Sequence, residues 1–173
     1  MISPRAVALC LALSCALSAR AATALAQPAS TDEREVVAAV QKLFDAMATC
    51  DAAAARAVSL PEGRLYRLTP GSADAAPRSS TFEEFNAQLA TCNRRMLERM
   101  WNPQVRIHKG IASLWAPYDF WLDGTFSHCG IDSFDLVKTS TGWTLTGGIY
   151  TVERNGCAPS PLGTPSFTTR SPR

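Results

Sequence analysis

His128 and Asp132 are the residues best suited to chemistry in this chain. They stand in the run Phe126-Ser127-His128-Cys129-Gly130-Ile131-Asp132. At strand periodicity both leave one face together with Phe126, Gly130, Phe134 and Leu136, while Ser127, Cys129, Ile131, Ser133, Asp135 and Val137 leave the other. The first set is the more aromatic and apolar, which assigns it to the concave, core-facing side. A histidine and a carboxylate in an apolar cleft suit general acid–base chemistry, and burial disfavours the charged form of an isolated aspartate. Strand rise puts the two about 13 Å apart, too far for a direct hydrogen bond, so a neighbour must complete any site. The candidates are Tyr118 and Asp119 on the preceding strand, Tyr150 on the following one, and His108. In the catalytic reading His128 is the general base, Asp132 its electrostatic partner and Tyr118 a hydrogen-bond donor. In the structural reading, which these arguments favour, His128 caps a bend, Asp132 ties the backbone, and Gly130 marks a bulge or a sharp bend between them.

The other chemistries are weaker. The sequence holds only two histidines, neither at helical spacing with a second ligand, and Cys129 leaves the face opposite His128. No metal centre is expected, no cofactor, and no cysteine nucleophile beside His128. Nucleophile elbow, Walker loop, dinucleotide fingerprint and HExxH motif are all missing from the sequence. A binding cavity needs aromatic lining with a few polar groups. Tyr118, Phe120, Phe126, His128, Asp132 and Tyr150 are the expected lining for a small apolar ligand, and Phe134 and Leu136 the expected core.

These residues need a sheet and helices to position them. Ser30 and Glu33 have capping-box spacing, as do Thr81 and Glu84. Val36, Val40, Leu43, Phe44 and Met47 fall on one face of the first helix, and Phe82, Phe85 and Leu89 on one face of the third. Asp51 caps a short helix over Ala52 to Val58, which Pro61 and Gly63 end. Leu65 to Leu68 reads as a short strand, and Thr69 to Ser80 as a loop. Strands are predicted over Arg94 to Trp101, Val105 to His108, Ile111 to Leu122, Phe126 to Lys138 and Trp143 to Arg154. The long ones are divided by Lys109-Gly110, Asp123-Gly124 and Thr141-Gly142. Helices first and an antiparallel meander afterwards imply an α+β architecture.

The compartment is read from the ends and the cysteines. Arg5, the apolar run Ala6 to Ala19 and the Ala24-Leu25-Ala26 site form a secretory signal over residues 1–26, too short to span a membrane. Cys15 lies inside the apolar run, which argues against a lipoprotein anchor. The remaining 147 residues carry 15 basic and 15 acidic side chains, a balance that does not point to nucleic acid. A secreted or periplasmic protein with no membrane span is expected, made of one domain over 27–157 and a proline-rich flexible tail over 158–173. Cys50, Cys92, Cys129 and Cys157 remain after cleavage, an even number that implies disulfides in an exported chain. The Ser140-Thr141 hairpin sets Cys129 opposite Val152 or Glu153, and Asn155-Gly156 turns Cys157 back toward it. Cys129–Cys157 is therefore expected, with Cys50–Cys92 as the second pair.

The stretch WAPYDFWLDGTFSHCGIDSFDLVK, the closing GWTLTGGIYTVERNGC and the helices before them resemble the nuclear-transport-factor-2-like superfamily, nearest its SnoaL-like and lumazine-binding-like bacterial branch. The resemblance implies a cone: a strongly curved antiparallel sheet wrapped round the first helix, with a pocket between them. It also implies several function classes, because members include dehydratases, isomerases and cyclases beside proteins that only bind. With no recognisable catalytic constellation, a non-enzymatic ligand-binding domain is the first expectation. A small dehydratase, isomerase or cyclase using His128 and Asp132 is the second, and a structural or interaction module the third. Trp115, Trp121 and Ile131 on the outer sheet face, where relatives often pair, imply a homodimer.

Overall fold

Ser30 starts the first helix as its sequence requires. Its hydroxyl accepts from the Glu33 amide while its own amide donates to the Glu33 carboxylate. The resulting helix, α1 (Thr31–Thr49), turns Val36, Val40, Leu43, Phe44 and Met47 into the core. It ends where Cys50 takes a left-handed conformation, φ 56°. The computed structural model describes residues 29–71 and 76–167. The signal peptide assigned to 1–26 lies outside the described residues, as do the last six residues of the tail.

The remaining elements are α2 (Ala52–Arg56), β1 (Ser59–Leu68), β2 (Arg78–Thr81), α3 (Phe82–Ala90), β3 (Met96–Met100), β4 (Gln104–His108), β5 (Ile111–Leu122), β6 (Thr125–Thr139) and β7 (Gly142–Thr151). A Thr81–Glu84 capping box opens α3. The described strands form one sheet of order β2-β1-β7-β6-β5-β3, with β4 beside β3 on the same edge of β5. Lys109-Gly110 and Asp123-Gly124 all have positive φ, the geometry that lets two-residue turns follow the twist of the strands they join. The inner face carries Leu114, Ala116, Phe134, Leu136 and Leu145 against α1. This is the expected α+β architecture of helices on a curved sheet.

Three local expectations change. The sheet is mixed, because β1 pairs with β7 in parallel. β1 also begins at Ser59 and runs through Pro61 and Gly63. A register shift between Ser59 and Arg64 takes that stretch out of the ladder, so the proline's missing donor costs nothing there. Gly63 lies so close to β7 that a Cβ would stand 2.4 Å from the Thr146 carbonyl oxygen. Within the predicted 69–80 loop, Arg78–Thr81 is a strand, because its backbone completes the free edge of β1.

Both expected disulfides are present. Cys50–Cys92 has a Cα separation of 5.8 Å and Cys129–Cys157 one of 5.9 Å. Cys129 faces Glu153 in an isolated bridge, as the hairpin register requires. The chain after Cys157, expected to be a free tail, is laid on the outer sheet face as far as Phe167. Arg99 donates to the Gly163 carbonyl at 2.8 Å, and Phe167 packs on Trp121 with Arg95 over its ring. Tethering by the disulfide and an apolar landing site explain why its prolines do not leave it free. Among the described residues no helix is long and apolar enough to cross a membrane.

Candidate functional site

Between α1 and the inner sheet face lies a cavity of about 220 Å³. Leu43, Phe44 and Met47 of α1 and Phe85 of α3 form its helical wall. β5 and β6 supply Tyr118, Phe120, His128, Asp132 and Phe134, and β7 supplies Tyr150 opposite Asp132 in register. Arg67 of β1, paired with Tyr150, and Arg154 beyond β7 also line it. The cavity is therefore apolar along its length, with acidic groups at one place and basic groups at another.

The acidic place is a pair of carboxyls. Asp132 is 1 % exposed, and its side chain hydrogen-bonds with that of Glu98, which the edge strand β3, beyond β5, sends into the cavity. Asp132 Oδ2 is buried with no hydrogen-bond partner among the described residues. Burial raises the proton affinity of both groups, and the negative charge of Asp132 raises that of Glu98 further. Sequence reasoning missed Glu98. The signal was there: Met96, Glu98 and Met100 share one strand face, and the two methionines pack against the core.

His128 has a different environment. Its ring stacks on Phe120 at 4.9 Å, meets the edge of Tyr118 at 5.7 Å, and its Nδ1 lies 3.0 Å from the Ser127 hydroxyl. Burial, then the charges of Arg154 and Arg67, lower its pKa to about 4, so it is a neutral imidazole at pH 7. Neither carboxyl of the acid pair is among the charges that move it. His128 and Asp132 thus line one cavity but work with different partners.

Tyr118 corrects the role expected of it. Its hydroxyl donates to the Thr151 backbone carbonyl at 2.6 Å, and the residue is 1 % exposed. The only proton it could offer a ligand is already used, and burial together with the nearby carboxylates raises its pKa. The same packing explains Gly130, where a Cβ would lie 2.1 Å from the Thr151 carbonyl oxygen and 2.8 Å from the Tyr118 ring.

Phe126 does not join the lining. Phe120 pairs with His128 but Trp121 pairs with Phe126, so Ser127 is an extra residue. That bulge reverses the alternation before His128 and sends Phe126 to the outer face, edge-on to Trp121 at 5.5 Å. Asp119 also faces outward, in a two-pronged pair with Arg99 at 2.9 and 2.5 Å. His108 is exposed at the end of β4, away from the cavity. Among the described residues no group of three or more His, Cys, Asp or Glu side chains is placed to hold a metal ion.

No family model matches the chain, and no curated protein matches it. Solved structures do. An NTF2-like protein from Cytophaga hutchinsonii superposes with a TM-score of 0.59 at 12% identity, over 71% of this chain and 99% of that one. A protein of unknown function with a cystatin-like fold from Nostoc punctiforme gives 0.58 at 12%, over 75% and 97%. A nuclear transport factor 2 (NTF2-like) superfamily protein from Salmonella enterica serovar Typhimurium gives 0.54 at 12%, over 71% and 92%. Identities this low carry the fold and nothing finer.

Proposed function

We propose that this chain, which has the nuclear-transport-factor-2-like fold, is an exported binding protein that holds one compact, mainly apolar molecule against α1 without transforming it. The observation that carries this reading is the buried, unpartnered Asp132 Oδ2 in the cavity wall. A buried acceptor without a donor costs about 1–3 kcal/mol, and a bound molecule with a donor group removes that cost. Size agrees: an apolar cavity of about 150 Å³ takes benzene, and this one is about 220 Å³. The non-catalytic part is supported by the separation of the expected acid–base groups, since His128 pairs with Ser127, Asp132 with Glu98, and Tyr118 with the backbone. Export is supported by the N-terminal pattern and by two disulfides, which suit an oxidising compartment.

Native mass spectrometry of protein purified from its own compartment tests both parts. The expected species begins at Gln27 and carries a small-molecule adduct. A bare mass, with no thermal shift from a library of single-ring fragments, overturns binding; a mature chain that retains Met1 overturns export.

We also infer that two copies pair through the outer face. Trp115 and Ile149 are 51 % and 53 % exposed there, and Tyr66, Ile149, Ser133 and Trp115 follow one another across β1, β7, β6 and β5 in register. The end of that face near Trp121 is occupied by the chain's own C-terminal segment, so the pairing surface is the part around Trp115.

A further inference from the structure

We propose that the cavity selects a zwitterionic single-ring molecule, with its ammonium group on the Glu98–Asp132 pair and its acidic group held by Arg67 and Arg154. This rests on the binding reading above and names the class of ligand.

Buried Asp132 and half-buried Glu98 face each other here, and among the described residues neither is in an ion pair with a basic side chain. Arg99 is the nearest basic residue on β3, but it serves Asp119 on the other side of the sheet. Burial is the main influence on the proton affinity of Asp132 and Glu98 the other, with no basic side chain among the described residues beside them. The facing elements do not help. α1 and α3 present only apolar side chains, Tyr118 has used its proton, and Tyr150, opposite Asp132, is a phenol kept protonated by burial. A ligand hydroxyl could donate to Oδ2 but would leave the charge of the pair unbalanced. An ammonium group supplies both a positive charge and three donors.

The basic residues settle the other end. Arg67 and Arg154 line the same cavity, and neither forms an ion pair among the described residues. Arg154 is exposed and Arg67 half-buried, so they stand at the mouth. Their joint field repels a simple cation and attracts an anionic group. A molecule carrying both charges, with an apolar ring between them against Leu43, Phe44 and Phe85, matches the whole cavity.

The test uses four probes at pH 7 by isothermal titration calorimetry: 4-(2-aminoethyl)benzoate, 4-(2-hydroxyethyl)benzoate, 4-ethylbenzoate and 2-phenylethylamine. The aminoethyl benzoate is expected to bind at least about tenfold more tightly than each of the others, the ratio a charge-assisted hydrogen bond supplies. Its heat should differ between phosphate and Tris buffers, because the ammonium displaces the proton shared by the pair. Asp132→Asn and Glu98→Gln should each bring it down to the hydroxyethyl analogue. Arg154→Ser, at an exposed position, should remove its advantage over phenylethylamine and keeps the test decisive should the buried variants fold poorly. Equal or tighter binding of the hydroxyethyl or ethyl compound overturns the ammonium assignment and leaves the binding reading standing. Equal or tighter binding of phenylethylamine overturns the role given to the arginines. Failure of all four probes overturns the inference and the single-ring reading together.

Discussion

Asp132 is held in a setting that favours its neutral form, and the consequence can be read as stability. An acid whose proton affinity is higher in the folded than in the unfolded chain stabilises the fold at low pH, and that contribution is lost as pH rises through the folded value. Asp132 and Glu98 both shift upward. His128 acts in the opposite sense: with a folded value of about 4 against about 6.5 for a free histidine, stability is lost as pH falls through that window. In denaturant titrations at pH 4, 6 and 8, Asp132→Asn should be more stable than wild type at pH 8 by about 1–3 kcal/mol, with the gain fading toward pH 4. A variant less stable than wild type at pH 8 would show that burial of the charge is not what shifts this group. Strand alternation made the inward direction of Asp132, Tyr118, Phe120 and Tyr150 legible in the sequence. It failed at Phe126, because alternation holds only while the ladder has no extra residue, and Ser127 is one.

Among the elements, β6 decides the shape of the cavity. Its bulge at Ser127 turns Phe126 out of the cavity while His128 stays on the inner face with Asp132, and at Gly130 the strand comes close enough for the Tyr118 ring to cross it and reach β7. The glycine is legible in the sequence as a sign of an irregular strand, a bulge or a sharp bend, but the bulge itself falls at Ser127. The role of Gly130 is instead to leave room. Gly130→Ala puts a methyl 2.1 Å from a backbone oxygen that cannot swing aside. It should cost about 2–4 kcal/mol, as overpacking in a rigid site does. Thermal unfolding followed by circular dichroism measures this, and a melting temperature unchanged from wild type would refute the close approach. β1 shows the reverse case. Pro61 and Gly63 read as helix-ending punctuation, yet they lie in a strand, because the proline falls within a register shift and the glycine permits contact with Thr146.

For the whole molecule, the disulfides tie distant elements together. Cys50–Cys92 joins the end of α1 to the chain after α3, and Cys129–Cys157 roots the C-terminal segment beside β6. Closing loops of 42 and 28 residues removes unfolded-chain entropy of about 3.5–4 kcal/mol each. The rooted segment covers Trp121, so the apolar face left for a partner centres on Trp115 and Ile149. Sedimentation velocity at tens of micromolar should give a dimer for the oxidised protein and a monomer for Trp115→Asp. A wild-type monomer ends the pairing reading. What the sequence by itself determined is local: capping boxes, turns whose residues accept positive φ, apolar periodicities, and cysteines brought near by a hairpin register. Each depends on residues a few positions apart or on a single turn. Only the tertiary structure decided that β1 lies parallel to β7, that the C-terminal segment folds onto the sheet, and that Glu98 meets Asp132. Those outcomes depend on which distant surfaces bury one another, and no local pattern in the chain encodes that choice.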